Sequence, residues 1–518
     1  MSASREKKNR QEVAASGVVD PKTARQAQEQ AKERRSNRLY AIIAIAFVVV
    51  AIGLVVWNSN IIQRGTTAVT VEGESYSAAE VSYYYHNAYN SIVNSKYASL
   101  YGIDKNTSLS QQSLNDTAKM MLGVSEDMTW DAYFRDAAKK SLIQLTMLKK
   151  GAAEKGLTFD DDMQKEIDST LETFSTYAKN AGYSTSAYLK LMYGNNMTMS
   201  TFKSILKDTV LASHYQQDYI DSLTYTDEEV ETYYNEHKNN FDVADYEYIY
   251  FKGTADSTKD ADGNTVQATD EEQAAAKETA KATAEEILAA YNSGKSLESI
   301  AGNYEKATYY NTTDAAYYDG VVGNWLFDDA RKDGDTEILE VGTSYYVSLF
   351  HSRGREEYKT VDIRHILITP ETGTKAQGDE GYEDEQTQLK AAARTKAEEI
   401  LAQWKSGEAT EDSFAQLAME NSADGSKYDG GLYTRVTKGW AVEEFNDWCF
   451  DASRKDGDTG IVDTTYGSHV MYFVGYDLPA WAASVTSDLQ EKASSEWSTA
   501  LSENADVQQS DFGMKFVG

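Results

Sequence analysis

Between residues 66 and 240 the apolar positions follow one short strand period and then a series of helix periods. The segment AVTV at 68–71 alternates in a way that predicts a strand, and an amphipathic helix is expected to follow it. Thr226 and Glu229 form a plausible capping box for a later helix. The pattern therefore predicts a helical domain over 66–240. The longest predicted helix, 130–156, has an apolar stripe of Tyr133, Ala137, Leu142, Leu145 and Leu148.

After residue 240 the pattern changes to strands that enclose helices, and it does so twice. Each of the two segments opens and closes with an apolar run of strand length, and each encloses a helix with the motif AEEIL. The order predicts two small α+β modules, at 241–352 and 358–477, followed by a C-terminal helix and strand over 480–518. The predicted fold class is α+β. The predicted strands are 245–252, 345–350, 362–369 and 469–476.

The two modules are copies of one sequence with different internal spacing. AEEILAAYNSG at 284–294 returns as AEEILAQWKSG at 397–407, NTTDAAYYDG at 311–320 as NSADGSKYDG at 421–430, and WLFDDARKDGDT at 325–336 as WCFDASRKDGDT at 448–459. The matched segments are 113, 110 and 123 residues apart. The first copy is therefore expected to lack 13 residues between Gly320 and Trp325.

One apolar run stands apart from both patterns. Residues 39–57 contain no charge over 19 positions, about the length that crosses a bilayer core as a helix. A cleaved signal peptide is the alternative, but no small-residue cleavage site follows the run. Ten Lys and Arg residues precede it in the segment 1–38. By the positive-inside rule, we predict a cytoplasmic tail, one transmembrane helix and a large extracytoplasmic part.

The net charge and the cysteine content reduce the number of possible functions further. The chain has a formal net charge of −32, which argues against nucleic acid as a partner. The single cysteine, Cys449, excludes an internal disulfide and a thiolate metal cluster, and its apolar neighbours predict a core position. An external region without disulfides is more typical of a Gram-positive bacterial surface than of a eukaryotic secretory pathway. No metal and no cofactor are expected.

Three polar residues distinguish the second copy and are the candidates for chemistry. His365 and His469 lie in the first and last strands of the module, and Asp424 lies between them in NSADGS. Strand alternation places Ile366 and Ile368 on the face opposite His365. A lone histidine is more often structural than catalytic, and the other histidines have no partner pattern. The combination of all three residues favours a site.

The order RHILI, AEEIL, SxD, a GG-containing loop and YGSHVMYF resembles the parvulin family of peptidyl-prolyl isomerases over about 358–477. The preceding helical segment and outward topology resemble the PrsA and SurA type of extracytoplasmic foldase. The resemblance implies that His365, Asp424 and His469 form the catalytic cluster. It also implies that the first strand, 67–72, pairs with about 506–517. The implied substrate-binding residues are Leu432 or Tyr433, Ala441, Phe445 and Tyr466.

The resemblance has two departures in the proline pocket. Ala441 occupies the place of a usual methionine and is preceded by Trp440, and the loop reads GGLYTRVTKG instead of GGDLG. Counting back from Gly439 puts Tyr433, rather than Leu432, at the usual leucine. The resemblance therefore implies an isomerase whose pocket has an altered shape.

The first copy is expected to be catalytically silent. Tyr248 and Tyr346 occupy its histidine positions, Asp314 is retained in NTTD, and the missing residues would be those that carry Phe445 and Tyr433. It could act as a spacer or hold extended chains. The leading hypothesis is a membrane-tethered foldase that isomerises X-Pro bonds in unfolded secreted or surface proteins. The alternatives are a non-catalytic chaperone with a vestigial parvulin module and a structural wall protein.

Overall fold

The computed structural model describes residues 45–50 and 61–518. Residues 45–50 are helical, whereas the rest of the predicted span 39–57 and the predicted tail 1–38 lie outside the described residues. Within the described ranges, no helix has both the length and the apolar character that a bilayer crossing requires. The chain forms two compact units. One consists of the described residues up to Asp218 together with Trp497–Gly518, and the other of Tyr219–Glu496.

Helices and strands account for most of both units. The helices are α1 (Ile61–Gly65), α2 (Ala78–Val93), α3 (Ala98–Tyr101), α4 (Asp116–Leu122), α5 (Trp130–Glu154), α6 (Asp161–Asn180), α7 (Thr185–Tyr193), α8 (Met199–Asp221), α9 (Asp227–Glu236), α10 (Lys238–Phe241), α11 (Asp270–Asn292), α12 (Leu297–Ala301), α13 (Val321–Leu326), α14 (Tyr382–Ser406), α15 (Glu411–Asn421), α16 (Glu443–Cys449), α17 (Ala480–Ser502) and α18 (Asp511–Met514). The strands are β1 (Thr67–Val71), β2 (Glu74–Ser77), β3 (Asp242–Lys252), β4 (Thr258–Lys259), β5 (Thr265–Val266), β6 (Thr308–Ala316), β7 (Thr336–Val341), β8 (Ser344–Arg355), β9 (Lys359–Ile368), β10 (Leu432–Val436), β11 (Thr459–Asp463), β12 (Ser468–Pro479) and β13 (Val507–Gln509).

The first unit is closed by strands from opposite ends of the described chain. Its three-stranded sheet has the order β13-β1-β2, and Val69 and Val71 pair antiparallel with Gln509 and Val507. The pairing that the resemblance implies for the first strand is therefore present. Arg135 on α5 extends the closure, because its guanidinium donates to the carbonyl oxygens of two residues near the C-terminus at 2.5 and 2.9 Å.

The core of the first unit lies along α5, which packs on α2. Its buried stripe starts with Trp130 and Phe134, and each of these aromatic side chains contributes about 2–3 kcal/mol by its burial. The predicted positions Tyr133 and Ala137 are only partly buried, so the prediction was one residue out of phase at the start of the helix. The buried residues of the helix are Trp130, Phe134, Ala138, Leu142, Leu145, Thr146, Leu148 and Ala152.

The second unit contains the two predicted modules, each built on a four-stranded antiparallel sheet. The strand orders are β6-β3-β8-β7 and β10-β9-β12-β11, so the two modules have the same topology. In the second module α14 and α15 cover one face of the sheet, where Ile366 and Val470 are fully buried. The short helix α16 covers the other face, against Ile363 and Met471. The mixed helical and sheet composition agrees with the predicted fold class.

The same kind of hydrogen bond occurs in each module and shows which residues of the two modules are equivalent. In the second module Asp362 on β9 accepts from the backbone N–H of Arg435, whose φ is 52°, at 2.8 Å. In the first module Asp245 on β3 accepts from the backbone N–H of Asp314, whose φ is 53°, at 3.0 Å. Asp314 is therefore the counterpart of Arg435. The sequence match that aligned it with Asp424 is wrong.

The missing residues of the first copy also lie elsewhere than predicted. The helix α13 is the counterpart of α16, with Val322 at the position of Phe445, so no gap separates Gly320 from Trp325. The shortening lies earlier, because α12 has five residues where α15 has 11, and the segment that follows it is also shorter. The first copy has thus lost the segment that carries the aspartate of the second copy.

Candidate functional site

Two histidines meet on the α16 face of the second module. His365 on β9 pairs with Met471 of β12, and His469 pairs with Leu367, so the two histidines are diagonal neighbours on adjacent strands. Both are buried, at 3% and 5% exposure. Their rings stack at a centroid distance of 5.3 Å, and the two Nδ1 atoms are 3.1 Å apart. Strand alternation alone thus brings the imidazoles into contact.

Asp424 completes the cluster from the turn that follows α15. Its Oδ1 atom accepts from the backbone N–H and the hydroxyl of Ser426 at 2.9 and 2.6 Å, and from the hydroxyl of Tyr433 at 2.9 Å. The Nε2 atom of His365 lies 3.2 Å from the same oxygen. The hydrogen bond from His365 and those from Ser426 hold the pKa of Asp424 well below its usual range. Asp424 is therefore a carboxylate at any physiological pH.

His469 extends the hydrogen-bonded cluster away from Asp424. Its Nε2 atom is 2.9 Å from the hydroxyl of Thr464, which also accepts from the backbone N–H of Tyr466. Burial, and then the charge of His365, lower the pKa of His469 to about 4, so this ring is neutral at pH 7.

A continuous line of polar contacts, called the polar line below, thus runs through Asp424, His365, His469 and Thr464. A hydrogen bond between the two Nδ1 atoms, which are 3.1 Å apart, requires one proton. It can be donated by either ring, with the hydroxyl of Thr464 donating or accepting to match. Every nitrogen has a partner in both arrangements, so the line holds its geometry without an unpaired group.

Aromatic rings enclose the histidine pair. Phe445 on α16 is buried and meets His365 and His469 edge-on, at centroid distances of 5.5 and 5.3 Å. The ring of Tyr433 lies 5.4 Å from that of His365. Burial, and then the bond to Asp424, raise the pKa of Tyr433 to about 12, so its hydroxyl remains a donor. Apolar walls and a fixed polar line therefore lie side by side.

The structure separates the predicted binding residues into two groups. Ala441 packs beside Phe445, and Tyr433, rather than Leu432, faces the histidines. Leu432 precedes Tyr433 on β10 and so lies on the other face of that strand. Tyr466 is 64% exposed, and its ring lies outside the aromatic cluster. The site therefore contains His365, Asp424, His469 and three of the predicted wall residues.

Three residues of the site were not predicted from the sequence: Trp440, Ser426 and Thr464. Trp440 lies 4.7 Å from Tyr433 and 6.3 Å from Phe445 by ring centroids. Its place next to Ala441 was the one signal in the sequence that could have identified it. Ser426 and Thr464 are hydroxyl partners of the cluster, and their residue types alone carry no signal, because serine and threonine are common in turns.

The equivalent place in the first module is filled by tyrosines. Tyr248 and Tyr346 stand where the second module has His365 and His469, as the sequence predicted, and their rings are 5.6 Å apart. Tyr310 of β6 stacks on Tyr248 at 4.8 Å. Thr312 pairs at the position of Tyr433. The first module therefore has neither the imidazole pair nor the carboxylate.

The remaining candidates are inert. Cys449 is buried on α16, and burial raises the pKa of its thiol to about 12, so it is not a nucleophile. Across the described part of the chain, no three His, Cys, Asp or Glu side chains converge as metal ligands would.

Two family models match the chain. Residues 347–474 match the PPIC-type PPIase domain, and residues 32–216 match the SurA-like N-terminal domain. A curated protein, foldase protein PrsA 1 of Listeria innocua, is 29% identical over 142 residues, which cover 26% of this chain and 39% of that protein. The match thus spans about two fifths of the relative's length.

Solved structures of PrsA proteins are also similar. PrsA from Bacillus subtilis matches at 16% identity over 75% of this chain and 92% of that chain, with a TM-score of 0.29. PrsA from Bacillus anthracis matches at 21% identity over 29% of this chain and 58% of that chain, with a TM-score of 0.18.

Proposed function

Because the chain carries a PPIC-type parvulin domain and a SurA-like N-terminal domain and is homologous to PrsA foldases, we propose that it isomerises X-Pro peptide bonds in unfolded proteins. The second module performs the reaction, and the first unit, which is mainly helical, holds the client. The single observation that supports this best is the contact of Asp424 with the buried pair His365 and His469 beside aromatic side chains.

The reaction needs an apolar site that fits the proline, and it needs no nucleophile. An X-Pro bond rotates over a barrier of about 18–20 kcal/mol because the amide must lose its resonance. The twisted amide is less polar than the planar one, so a dry apolar slot stabilises it relative to the planar form. Phe445 and Tyr433 supply this slot, and the client's pyrrolidine ring lies against them.

The polar line fixes the electric field of the slot. Asp424 is ionised and His469 is neutral at pH 7, so neither of these two groups needs to gain or lose a proton during the turnover. Their hydrogen bonds are formed before the substrate arrives, so orienting them costs nothing at the transition state. No proton needs to pass to the substrate, and Thr464 and Ser426 act as positioning residues.

The clients are unfolded or partly folded secreted or surface proteins with X-Pro bonds. We propose that residues 39–57 anchor the chain in the cell membrane, with the tail 1–38 in the cytoplasm and both units outside, at a Gram-positive-like surface. Membrane fractionation followed by protease treatment of intact cells tests this. Full protection of both units from protease contradicts the topology.

The decisive experiment replaces both histidines in the full chain. We expect His365→Ala with His469→Ala to lower kcat/KM on a proline-containing peptide by at least about a hundredfold, since both the slot wall and the field are lost. Tyr248→Ala with Tyr346→Ala is the matched control, because it changes the equivalent positions of the first module and leaves activity intact. Full activity in the double-histidine variant, with a native circular dichroism spectrum, refutes the mechanism.

A second candidate is a chaperone with a vestigial isomerase module. The replacement of a usual methionine by Ala441 supports it, because a smaller side chain leaves the slot less complete. Under this alternative the unmodified chain suppresses aggregation of an unfolded client but does not accelerate prolyl isomerisation. The foldase proposal requires both activities in the same protein.

A further inference from the structure

A cavity in the first unit lies between α2, α5 and α8, outside the second module. Its volume is about 470 Å³, which is within the range of small-molecule sites. Thr209, Ser213 and Gln216 line it from α8 at spacings of four and three positions, so they share one face of that helix. Asn87 and Ser91, four positions apart, line it from α2. The helical spacing of polar side chains thus gives the cavity two polar walls.

None of the 12 residues that line this cavity is charged, although 25% of the chain is Asp, Glu, Lys or Arg. Eight of them carry a hydroxyl or a side-chain amide, and the other four are alanines and leucines. Lys149 and Asp208, which adjoin lining residues in the sequence, pair with each other at 2.8 Å. A bound molecule therefore meets hydrogen-bonding groups and apolar side chains without an ionic partner, so a neutral ligand fits and a phosphate or an ammonium group does not.

Two of the lining side chains have hydrogen-bonding capacity that the chain does not use. The hydroxyl of Tyr84 is enclosed without a partner of suitable geometry within the described residues, although Thr209 lies near it. Burial raises the pKa of Tyr84, so this hydroxyl keeps its proton and can donate. Gln144 on α5 donates through Nε2 to the hydroxyl of Ser498 at 2.8 Å, which leaves its side-chain oxygen to accept. Since buried polar groups nearly always have a partner, the enclosed hydroxyl favours a ligand that accepts a hydrogen bond.

We propose that this cavity binds a neutral sugar of one or two rings that carries an acetamido group. A sugar hydroxyl both donates and accepts, as the hydroxyl and amide groups of the walls do. The buried side chains of Leu145 and Leu148 form a floor for the apolar face of a pyranose ring. The acetamido group pairs with the side-chain amide of Asn87, which has a donor and an acceptor. This binding is separate from the isomerase reaction and does not depend on it.

The length of the cavity favours a sugar over an extended client segment. The lining runs from residue 84 to 91 on α2 and from 209 to 216 on α8, which is about 10 Å along each helix at about 1.5 Å per residue. An extended chain covers this length with about three residues, at about 3.3 Å each. So short a segment offers few side chains for recognition, whereas a disaccharide presents hydroxyls along the whole length.

The test is isothermal titration calorimetry of the full chain with two disaccharides of the same skeleton. N,N′-diacetylchitobiose is neutral, whereas chitobiose has free amines and is cationic at about pH 6. We expect the neutral sugar to bind with a Kd of about 1 mM or below, and the cationic sugar to bind at least about fivefold more weakly. The net charge of −32 makes this order informative, because non-specific attraction would favour the cationic sugar. The reverse order, or no heat from the neutral sugar at about 10 mM, overturns the inference.

Variants show whether the sugar binds in this cavity. Asn87→Leu with Thr209→Val removes two polar groups and should weaken binding of diacetylchitobiose at least about tenfold. Asn180→Leu with Thr170→Val, at exposed positions of α6 outside the cavity, is the matched control. Tyr84→Phe should weaken binding about fivefold without lowering the free energy of unfolding, because the lost hydroxyl has no partner in the free protein. Unchanged affinity in both cavity variants, with native circular dichroism spectra, contradicts the inference.

Two further titrations separate a client site from a sugar site and identify the source of the sugar. The neutral tripeptide acetyl-Ser-Asn-Gln-amide should bind more weakly than the sugar. Tighter binding of this peptide would make the cavity a client site and would overturn the inference. A peptide that carries the disaccharide through its reducing end should bind if the source is a glycosylated protein and should not bind if it is a surface polysaccharide. Both of these last results support sugar recognition.

Discussion

Replacing Tyr433 by phenylalanine separates the two roles that this residue has in the site. The change removes one hydroxyl, which donates to Asp424 at 2.9 Å, and keeps the ring that packs on His365 and Trp440. A hydrogen bond to a charged acceptor contributes about 1.5–3 kcal/mol. The side chain of Asp424 is 25% exposed and keeps its bonds from Ser426 and His365, so we expect the lower end, about 1.5 kcal/mol.

The effect on activity should be smaller than that of the histidine replacements. Asp424 stays ionised in Tyr433→Phe, because the hydrogen bond from His365 is the largest cause of its lowered pKa. The carboxylate loses one of its restraints, so we expect kcat/KM on an X-Pro peptide to fall by about three- to tenfold. Urea unfolding gives the stability, and a coupled isomerisation assay gives the rate.

Two outcomes of that experiment refute the reasoning. If the free energy of unfolding of Tyr433→Phe lies within about 0.3 kcal/mol of that of the unmodified chain, and the variant is fully active, the hydroxyl does not hold Asp424. If it is as inactive as the double-histidine variant, the hydroxyl takes part in the reaction directly and a fixed field is not the mechanism. Tyr476→Phe, an exposed tyrosine of the same module, is the matched control.

Two further predictions concern stability. The pKa of His469 is about 4 in the folded chain and about 6.5 in the unfolded chain, so the unfolded chain takes up a proton as the pH falls between these values. The free energy of unfolding should therefore fall by up to about 3 kcal/mol from pH 7 to 4, and the same slope in His469→Gln contradicts this origin. Asp424 contributes little between pH 7 and 4, because its ordinary pKa of 3.8 lies just below this range. In the first unit, a Cβ at Gly513 would lie 2.1 Å from the carbonyl oxygen of Thr67, so Gly513→Ala should cost about 2–3 kcal/mol by urea unfolding. Gly65→Ala, with nothing within 4 Å of its Cβ, is the control, and equal midpoints for the two variants would show that the sheet yields without cost.

The histidine pair could be predicted from the sequence because strand periodicity determines it. Alternation alone placed His365 opposite Ile366, and the structure has Ile366 fully buried under α14 and α15 while His365 faces Phe445. The equivalence of Tyr248 with His365 was also predictable, because the residues lie at matched positions in duplicated strands.

The position of Asp314 could not be predicted, because local similarity and strand register disagreed there. NTTD resembles NSAD as a string, yet the hydrogen bond to Asp245 and the left-handed backbone at Asp314 place it at the counterpart of Arg435. Pairing between strands that are far apart in sequence determines this register, and a local match contains no information about it. Trp440 was missed for a similar reason, since its value depends on a turn held by Asn446.

The pairing of β1 with β13 has a consequence for how the protein is made. The backbone N–H of Asp506 donates to the carboxylate of Glu72, 434 positions earlier in the sequence. During synthesis from the N-terminus, β1 therefore lacks one of its neighbours until residues 507–509 emerge, whereas the unit Tyr219–Glu496 is one continuous segment that emerges before them. The second module can thus fold while the first unit is still incomplete, and loss of residues 507–509 would leave β1, more than 430 positions earlier, without one of its partner strands.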